Sequence, residues 1–347
     1  MPVIAANDAP SVPCPSVTVK WAGRDVTGDI SPFLVDLSYT DFMEGESDSV
    51  ELVLEDVQRR WSGPWYPQFG DTIEVWIGYQ DGQQLPCGAF EIDEVELSGP
   101  PDVMRVKALA AGVKRSVRTR NGRAYESTTL ANIAATIARR NQLKLAGTIE
   151  KIDIRRVTQF AETDLVFLKR LAQEYGYSFA VRGGYLDFFK RSDIKARAPT
   201  LTITRQDVTR FQARDKVRGV AAAATLTYHD PRTKGTRSHK TADKAAKTNA
   251  RGADELKVIA RAESAEQARL KAAAAIDRQN EDQTSMSLTM SGNVRLAAGN
   301  TVALSGFGQF DGKYTITQSR HTFSRSQGYA SEVELKRVRD PAQGAAT

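Results

Sequence analysis

The chain has 347 residues, of which 41% are hydrophobic and 26% charged, enough for two or three domains with their own cores and too apolar for a disordered tail. No window approaches the roughly 18 consecutive apolar residues of a membrane-spanning helix; the longest small-apolar run, Ala221 to Ala224, is far shorter. The net charge of +6 hides an imbalance: residues 1–112 hold 6 Lys and Arg against 19 Asp and Glu, residues 113–198 hold 18 against 8, and residues 199–347 hold 24 against 15.

Residues 1–15 are Pro-rich and lack a basic segment followed by an apolar one, so they read as a flexible lead-in without a Sec-type export signal. Cys14 in that lead-in and Cys87 in a turn-like stretch make neither a disulfide framework nor a zinc site, which fits synthesis in a reducing cytoplasm. Residues 16–112 form a first, acidic β domain. Its alternating runs SVTVKW, FLVDLSYTDF, SVELVLED, DTIEVWIGY, FEIDEVELS and VMRVKALA are separated by turn signals at Gly63-Pro64, Asp81-Gly82 and Gly99-Pro100-Pro101. In Phe90–Leu97 the carboxylates fall on one face and the apolar residues on the other, as in a half-exposed strand. Asp93 and Glu94 are neighbours on a strand and point to opposite faces, so they do not converge as a catalytic carboxylate pair.

Residues 113–198 change to a basic α/β insertion. Thr128 or Thr129 caps a helix whose stripe is Leu130, Ile133, Ala134, Ile137 and Ala138, with Arg139 and Arg140 at its negative pole. A second helix starts near Thr163, carries Leu165, Leu168, Leu171, Ala172 and Tyr175, and stops at Gly176. A hairpin follows, Tyr177–Val181 and Tyr185–Phe189 around Arg182-Gly183-Gly184.

Residues 199–340 return to strands as a second β domain. Within it, residues 229–251 hold seven Lys or Arg, two Asp and almost no apolar residue, the composition of a mobile basic loop. A helix is expected over 264–283, then strands to Val338, and 341–347 is a frayed tail.

The two β domains repeat one pattern. Gly70-Asp71-Thr72-Ile73, then Gly88-Ala89-Phe90-Glu91-Ile92, then the strand around Met104–Lys107 form one series. Gly299-Asn300-Thr301-Val302, then Gly312-Lys313-Tyr314-Thr315-Ile316, then Glu332–Lys336 form the second, in the same order with different loop lengths. Two like β domains per chain, in a closed trimer, would place six like units around one axis and so match a six-fold partner. The fold class expected is α+β, mainly antiparallel β.

The segment Thr158–Tyr177 carries Gln159, Glu162, Thr163, Asp164, Phe167, Leu168, Arg170, Leu171, Glu174 and Gly176 at the spacing Gln-x-x-Glu-(Ser/Thr)-Asp-x-x-Phe-Leu-x-Arg-Leu-x-x-Glu-x-Gly-(Tyr/Ile). It resembles the signature of the late control protein D family of contractile-tailed phages, shared with the valine-glycine-repeat spike proteins of type VI secretion. Gly70-Asp71-Thr72-Ile73, Ile77-Gly78-Tyr79 and Tyr228-His229-Asp230-Pro231 also resemble stretches of that family. The resemblance covers residues 16–340. It implies a virion or particle baseplate hub: a homotrimeric symmetry adaptor, two tube-like β domains per subunit, between a six-fold tail tube ring and a trimeric spike, in contact with tape-measure and wedge proteins. The chain ends near residue 340 without a needle module, so the spike is expected to be a separate polypeptide. The helix at Leu130 is also similar to the first helix of LysM glycan-binding modules, which implies a peptidoglycan-binding or wall-degrading alternative.

Taken without any family, the signature's apolar stripe packs a helix on its hairpin, and nothing in it is a nucleophile, base or ligand set. His229, His239 and His321 lack His-x-x-x-His or His-Glu-x-x-His spacing and read as loop or strand surface residues. Gly306-Phe307-Gly308-Gln309-Phe310-Asp311-Gly312 has its third glycine one position late for a dinucleotide fingerprint and no helix after it, so it reads as a turn. No Walker-type Gly-Lys-(Ser/Thr) loop is present. The basic residues spread over about 230 positions, not along one aromatic-lined groove, so no specific nucleic-acid site is expected, and a basic nucleic-acid-binding protein stands as a second alternative. The reading is a structural protein without catalytic residues, cofactor or metal, whose acidic first domain would face a lumen through Glu91, Asp93 and Glu94.

Overall fold

The computed structural model describes residues 13–44, 47–80, 82–110, 120–182, 184–216, 219–230, 235–243 and 254–339; most of the predicted lead-in and the tail 341–347 lie outside them. The first β region begins with β1 (Pro15–Trp21), the two-residue β2 (Arg24–Asp25) and the helical turn α1 (Thr27–Ile30). It continues as β3 (Leu34–Phe42), β4 (Ser49–Glu55), β5 (Thr72–Tyr79), β6 (Gln84–Ser98) and β7 (Val103–Ala110). These pair antiparallel in the order β3-β4-β7-β6-β5-β1-β2. Alternation decides which face is covered: Leu37, Leu52, Leu54, Ile73, Ile77 and Val106 are fully buried. Each such side chain contributes about 1.5–3 kcal/mol when removed from water.

The insertion comprises β8 (Asn121–Thr129), α2 (Leu130–Arg140), β9 (Lys144–Ala146), β10 (Asp153–Glu162), α3 (Asp164–Glu174), β11 (Tyr177–Arg182), β12 (Tyr185–Lys190) and the short α4 (Arg191–Ala196). β8 pairs with β10, and β11-β12-β9 make a second small sheet. The expected caps are in place. Thr129 Oγ1 accepts from Asn132 N at 3.2 Å and Thr163 Oγ1 from Val166 N at 3.3 Å. Gly176 turns the chain after α3 with a φ of 77°, a region that costs glycine nothing. The inward stripes of both helices, with Tyr177, Phe179 and Phe188, form one separate core.

The last region contains β13 (Leu201–Thr204), β14 (Val208–Asp215), β15 (Ala221–Asp230), β16 (Gly235–Ala242), β17 (Asp254–Ile259), α5 (Ala265–Glu281), β18 (Thr284–Ser291), β19 (Thr301–Ser305), β20 (Gly312–Ser324) and β21 (Gly328–Arg337). β16-β15-β17 form a small sheet covered by the Ala-rich side of α5. Asn280 on α5 closes this contact by accepting from Ala221 N at 2.8 Å and donating to Ala221 O at 2.7 Å.

The remaining strands run β14-β18-β21-β20-β19-β13, which is the order β3-β4-β7-β6-β5-β1 over again. The registers agree in detail. Ile73 faces Phe90 on β6 and Val302 faces Tyr314 on β20. Both long strands then carry one extra residue at the same place, Asp93 after Ile92 and Thr317 after Ile316. Both first hairpins carry another, Val35 on β3 and Thr209 on β14. A bulge inserts one residue into one strand and re-aims the rest, so two bulges at matched positions mark a repeated unit, not merely two meanders. The one difference in sense is the last pair, antiparallel for β1 with β5 and parallel for β13 with β19. The glycine-led repeat of the sequence falls on β5, β6 and β7 and on β19, β20 and β21.

Four expectations are corrected. The basic segment is not wholly a loop: Gly235–Ala242 is β16, paired along its length with β15, because backbone hydrogen bonding and burial of Thr241 suffice where apolar side chains are few. Residues 231–234 and 244–251 of that segment lie outside the described residues. Cys87 sits in β6 and is buried, not in a turn. His321 is fully buried, not at the surface, because β20 is flanked on both sides, by β21 and by β3. Finally, the bulge at Asp93 interrupts the alternation on which the opposite-face argument for Asp93 and Glu94 rested.

Candidate assembly surface

The two sheet units are joined into a single 13-stranded sheet by one seam: the far half of β20 pairs with β3, from Gln318 opposite Phe42 to Ser324 opposite Asp36. Buried side chains fill one side of the seam. Leu37, Tyr39, Ser319 and His321 are at most 5% exposed. His321 Nε2 lies 2.9 Å from the Leu296 carbonyl, which can only accept, so this nitrogen carries the proton and Nδ1 accepts from the Tyr329 hydroxyl at 2.8 Å. Burial pushes the imidazole down to about 4, so the ring is neutral at pH 7 and packs flat on Tyr39 at a centroid distance of 6.2 Å.

The other side of the sheet is mostly polar. Successive cross-strand partners run from Glu91 on β6 through Leu109, Ser49, Thr40, Arg320, Glu332 and Thr289 to Arg210 on β14, with Leu109 the one apolar member of the row. The next row includes Glu94, Lys107, Glu51 and Ser38. Of the three carboxylates expected to face a lumen, Glu91 and Glu94 lie on this surface, and Asp93 is the exposed bulge residue. Their neighbours are not uniformly acidic. Arg105 reaches Glu51 at 2.8 Å and Glu96 at 3.4 Å, and Lys107 stands opposite Glu94. Such half-exposed pairs contribute about 0–1 kcal/mol; their effect here is a surface with interleaved signs.

Charged clusters clamp the insertion to both units. Arg182, at the end of β11, pairs with buried Asp41, lies 3.4 Å from buried Asp48, and donates to the Phe42 carbonyl at 3.0 Å. Asp41 Oδ2 also accepts from Ala298 N at 2.7 Å, so one carboxylate ties β3 to the loop before β19. Burial pushes Asp41 up to about 6, against the pull of Arg182 and with the push of Asp48; burial raises Asp48 as well. Arg191 donates to Glu44 at 3.0 Å and pairs with Glu281 of α5. Lys271 of α5 reaches Glu174 of α3 at 2.7 Å.

The signature segment is a buried polar network. Asp164, 1% exposed, accepts from Arg140 at 2.9 and 3.0 Å, from Gln159 at 3.0 Å and from Asn141 at 3.2 Å. Arg170 reaches Glu162 at 3.1 Å, Glu174 at 3.3 Å and the Thr158 carbonyl at 3.1 Å. The helix start and the strand before it are thereby fixed to α2. Sequence reasoning read only the apolar stripe of this helix and missed the network; the readable signal was the polar residues Gln159, Glu162, Asp164 and Arg170 spaced so that strand end and first helical turns meet. Among the described residues no three His, Cys, Asp or Glu side chains converge as a metal site.

Residues 108–327 match the family model described as phage tail baseplate hub (GPD). Two curated proteins are similar, the probable baseplate hub protein of Escherichia phage 186, 30% identical over 227 residues, and that of Escherichia phage P2, 33% identical over 228 residues. Each match takes in 64% of this chain and 58% of the relative. Among solved structures, the tail protein from Neisseria meningitidis MC58 shares the fold with a TM-score of 0.72 at 14% identity, over 94% of this chain and 98% of that one.

Proposed function

Because this chain belongs to the phage tail baseplate hub (GPD) family, we propose that it is the structural hub of a contractile tail or tail-like particle: a homotrimer that adapts a six-fold tube ring to a three-fold spike. The observation that carries this reading is the duplicated sheet unit, with one strand order and two matched bulges. Three chains closed about one axis present six such units, so a partner with six-fold symmetry meets six like surfaces while a three-fold partner meets three whole chains. The polar sheet face would line the lumen; its interleaved charges would keep water on the wall and give passing nucleic acid or protein no single-sign surface to adhere to. The α/β insertion, held by Arg182, Arg191 and Lys271, would hang outside the ring, available to wedge and tape-measure proteins. In this reading the protein has no catalytic step; it transmits force and register.

Native mass spectrometry of the purified protein tests the proposal. The expected mass is about three times the 38.1 kDa of one chain, with a buried interface on the order of 2,000 Å² or more, as in obligate assemblies. A chain that stays single at every concentration, and inside isolated particles, overturns it.

A further inference from the structure

The seam between the two units has a counterpart with no partner among the described residues. β20 uses its far half to pair with β3. Its equivalent, the far half of β6 from Glu94 to Ser98, pairs with β7 on one side, while the register of β5 on the other side ends at Glu91. The equivalent of β3 is β14, for which β18 is the one paired strand among the described residues. One chain therefore carries one satisfied seam and two halves of a second at opposite ends of its sheet. Open strand edges of this kind recruit another strand.

We infer that β14 of one chain pairs antiparallel with the far half of β6 of the next, repeating the β3–β20 seam between copies. This rests on the trimeric reading above and supplies its joint. Carrying the seam's register across the matched bulges places Arg214 opposite Glu96, Lys216 opposite Glu94, and Ala213 opposite Leu97. Two of these three pairs join opposite charges, which adds to pairing at directly opposed positions. Burial points the same way. Leu97 is 54% exposed where its counterpart His321 is fully buried, and Phe211 is 41% exposed where its counterpart Leu37 is fully buried. Both apolar side chains are thus left in water at the positions that the internal seam covers. The joint is heterologous, so successive copies repeat one rotation, and three copies close it into a ring.

Cysteine cross-linking tests the pairing. In a Cys14→Ser background, which removes the exposed native thiol, the Glu96→Cys/Arg214→Cys protein should give a disulfide-linked trimer on a non-reducing gel after mild oxidation. Each protein with one introduced cysteine, beside the buried Cys87, should stay uncross-linked, and Glu96→Cys/Gln212→Cys, two residues out of register, should link at least ten-fold less. Leu97→Cys/Ala213→Cys provides a second opposed pair should the first unfold. Three copies by mass with no link in either opposed pair, or with equal linking in the shifted pair, overturns the strand pairing and leaves the trimer standing. Single copies by mass overturn both.

Discussion

Replacing Asp164 by alanine is expected to destabilise the insertion by about 3–5 kcal/mol, the range for removing one partner of a buried charge pair. The loss follows from what remains: the Arg140 guanidinium, Gln159 and Asn141 all aim donors at the vacated carboxylate, and a buried donor without a partner costs its full desolvation. The insertion has its own core, so the effect should be regional. Limited proteolysis should cut within residues 120–182 while the large sheet stays protected. Denaturant unfolding that shifts by less than about 1 kcal/mol would show that the network is ornamental to stability.

Substitution of Arg182 by methionine should be comparably severe, about 3–5 kcal/mol at pH 7, and should depend on pH. Without the guanidinium, Asp41 and Asp48 are two buried carboxylates facing each other. Both are already pushed above the usual carboxylate range by burial, and losing the cation pushes them further. A carboxyl whose folded value is raised binds its proton more tightly in the native state, so stability is retained at pH 4 and is lost as pH rises through the folded value, which without the cation lies above the value of about 6 that Asp41 has in the parent. The difference between variant and parent should therefore be small at pH 4.5 and large at pH 7. Equal differences at both values would mean that lost packing, not charge, accounts for the effect.

Much of the sheet was legible because strand alternation and glycine-led turns are local. The six expected runs of the first region correspond to β1 and β3–β7, and the helix caps at Thr129 and Thr163 need only neighbours three residues away. The repeat was visible for the same reason: Gly70, Gly299 and Gly312 stand at or just before strand starts, Gly88 lies inside β6 beside its register shift, and all four have positive φ. What escaped depends on partners far along the chain. His321 looks like a surface residue between Arg320 and Thr322; it is buried because β3, more than 270 residues earlier, covers it. Cys87 follows Pro86 and reads as a turn, yet it lies within β6 as the extra residue at the register shift against β5. The extra residues at Asp93 and Thr317 leave no compositional trace, since a bulge changes register without changing residue type. Arg182 and Asp164 are ordinary charges in the sequence; only the meeting of three separate segments makes each a clamp.

The claim on which the functional account depends is that two units of one chain act as equivalents in a ring. Electron cryo-microscopy of the purified assembly, averaged down its axis with no symmetry above three-fold imposed, measures this directly. The account predicts three chains whose six sheet units sit at one radius, about 60° apart, with a continuous strand ladder through every joint. First and second units at different radii, or a ring with a copy number other than three, would contradict it.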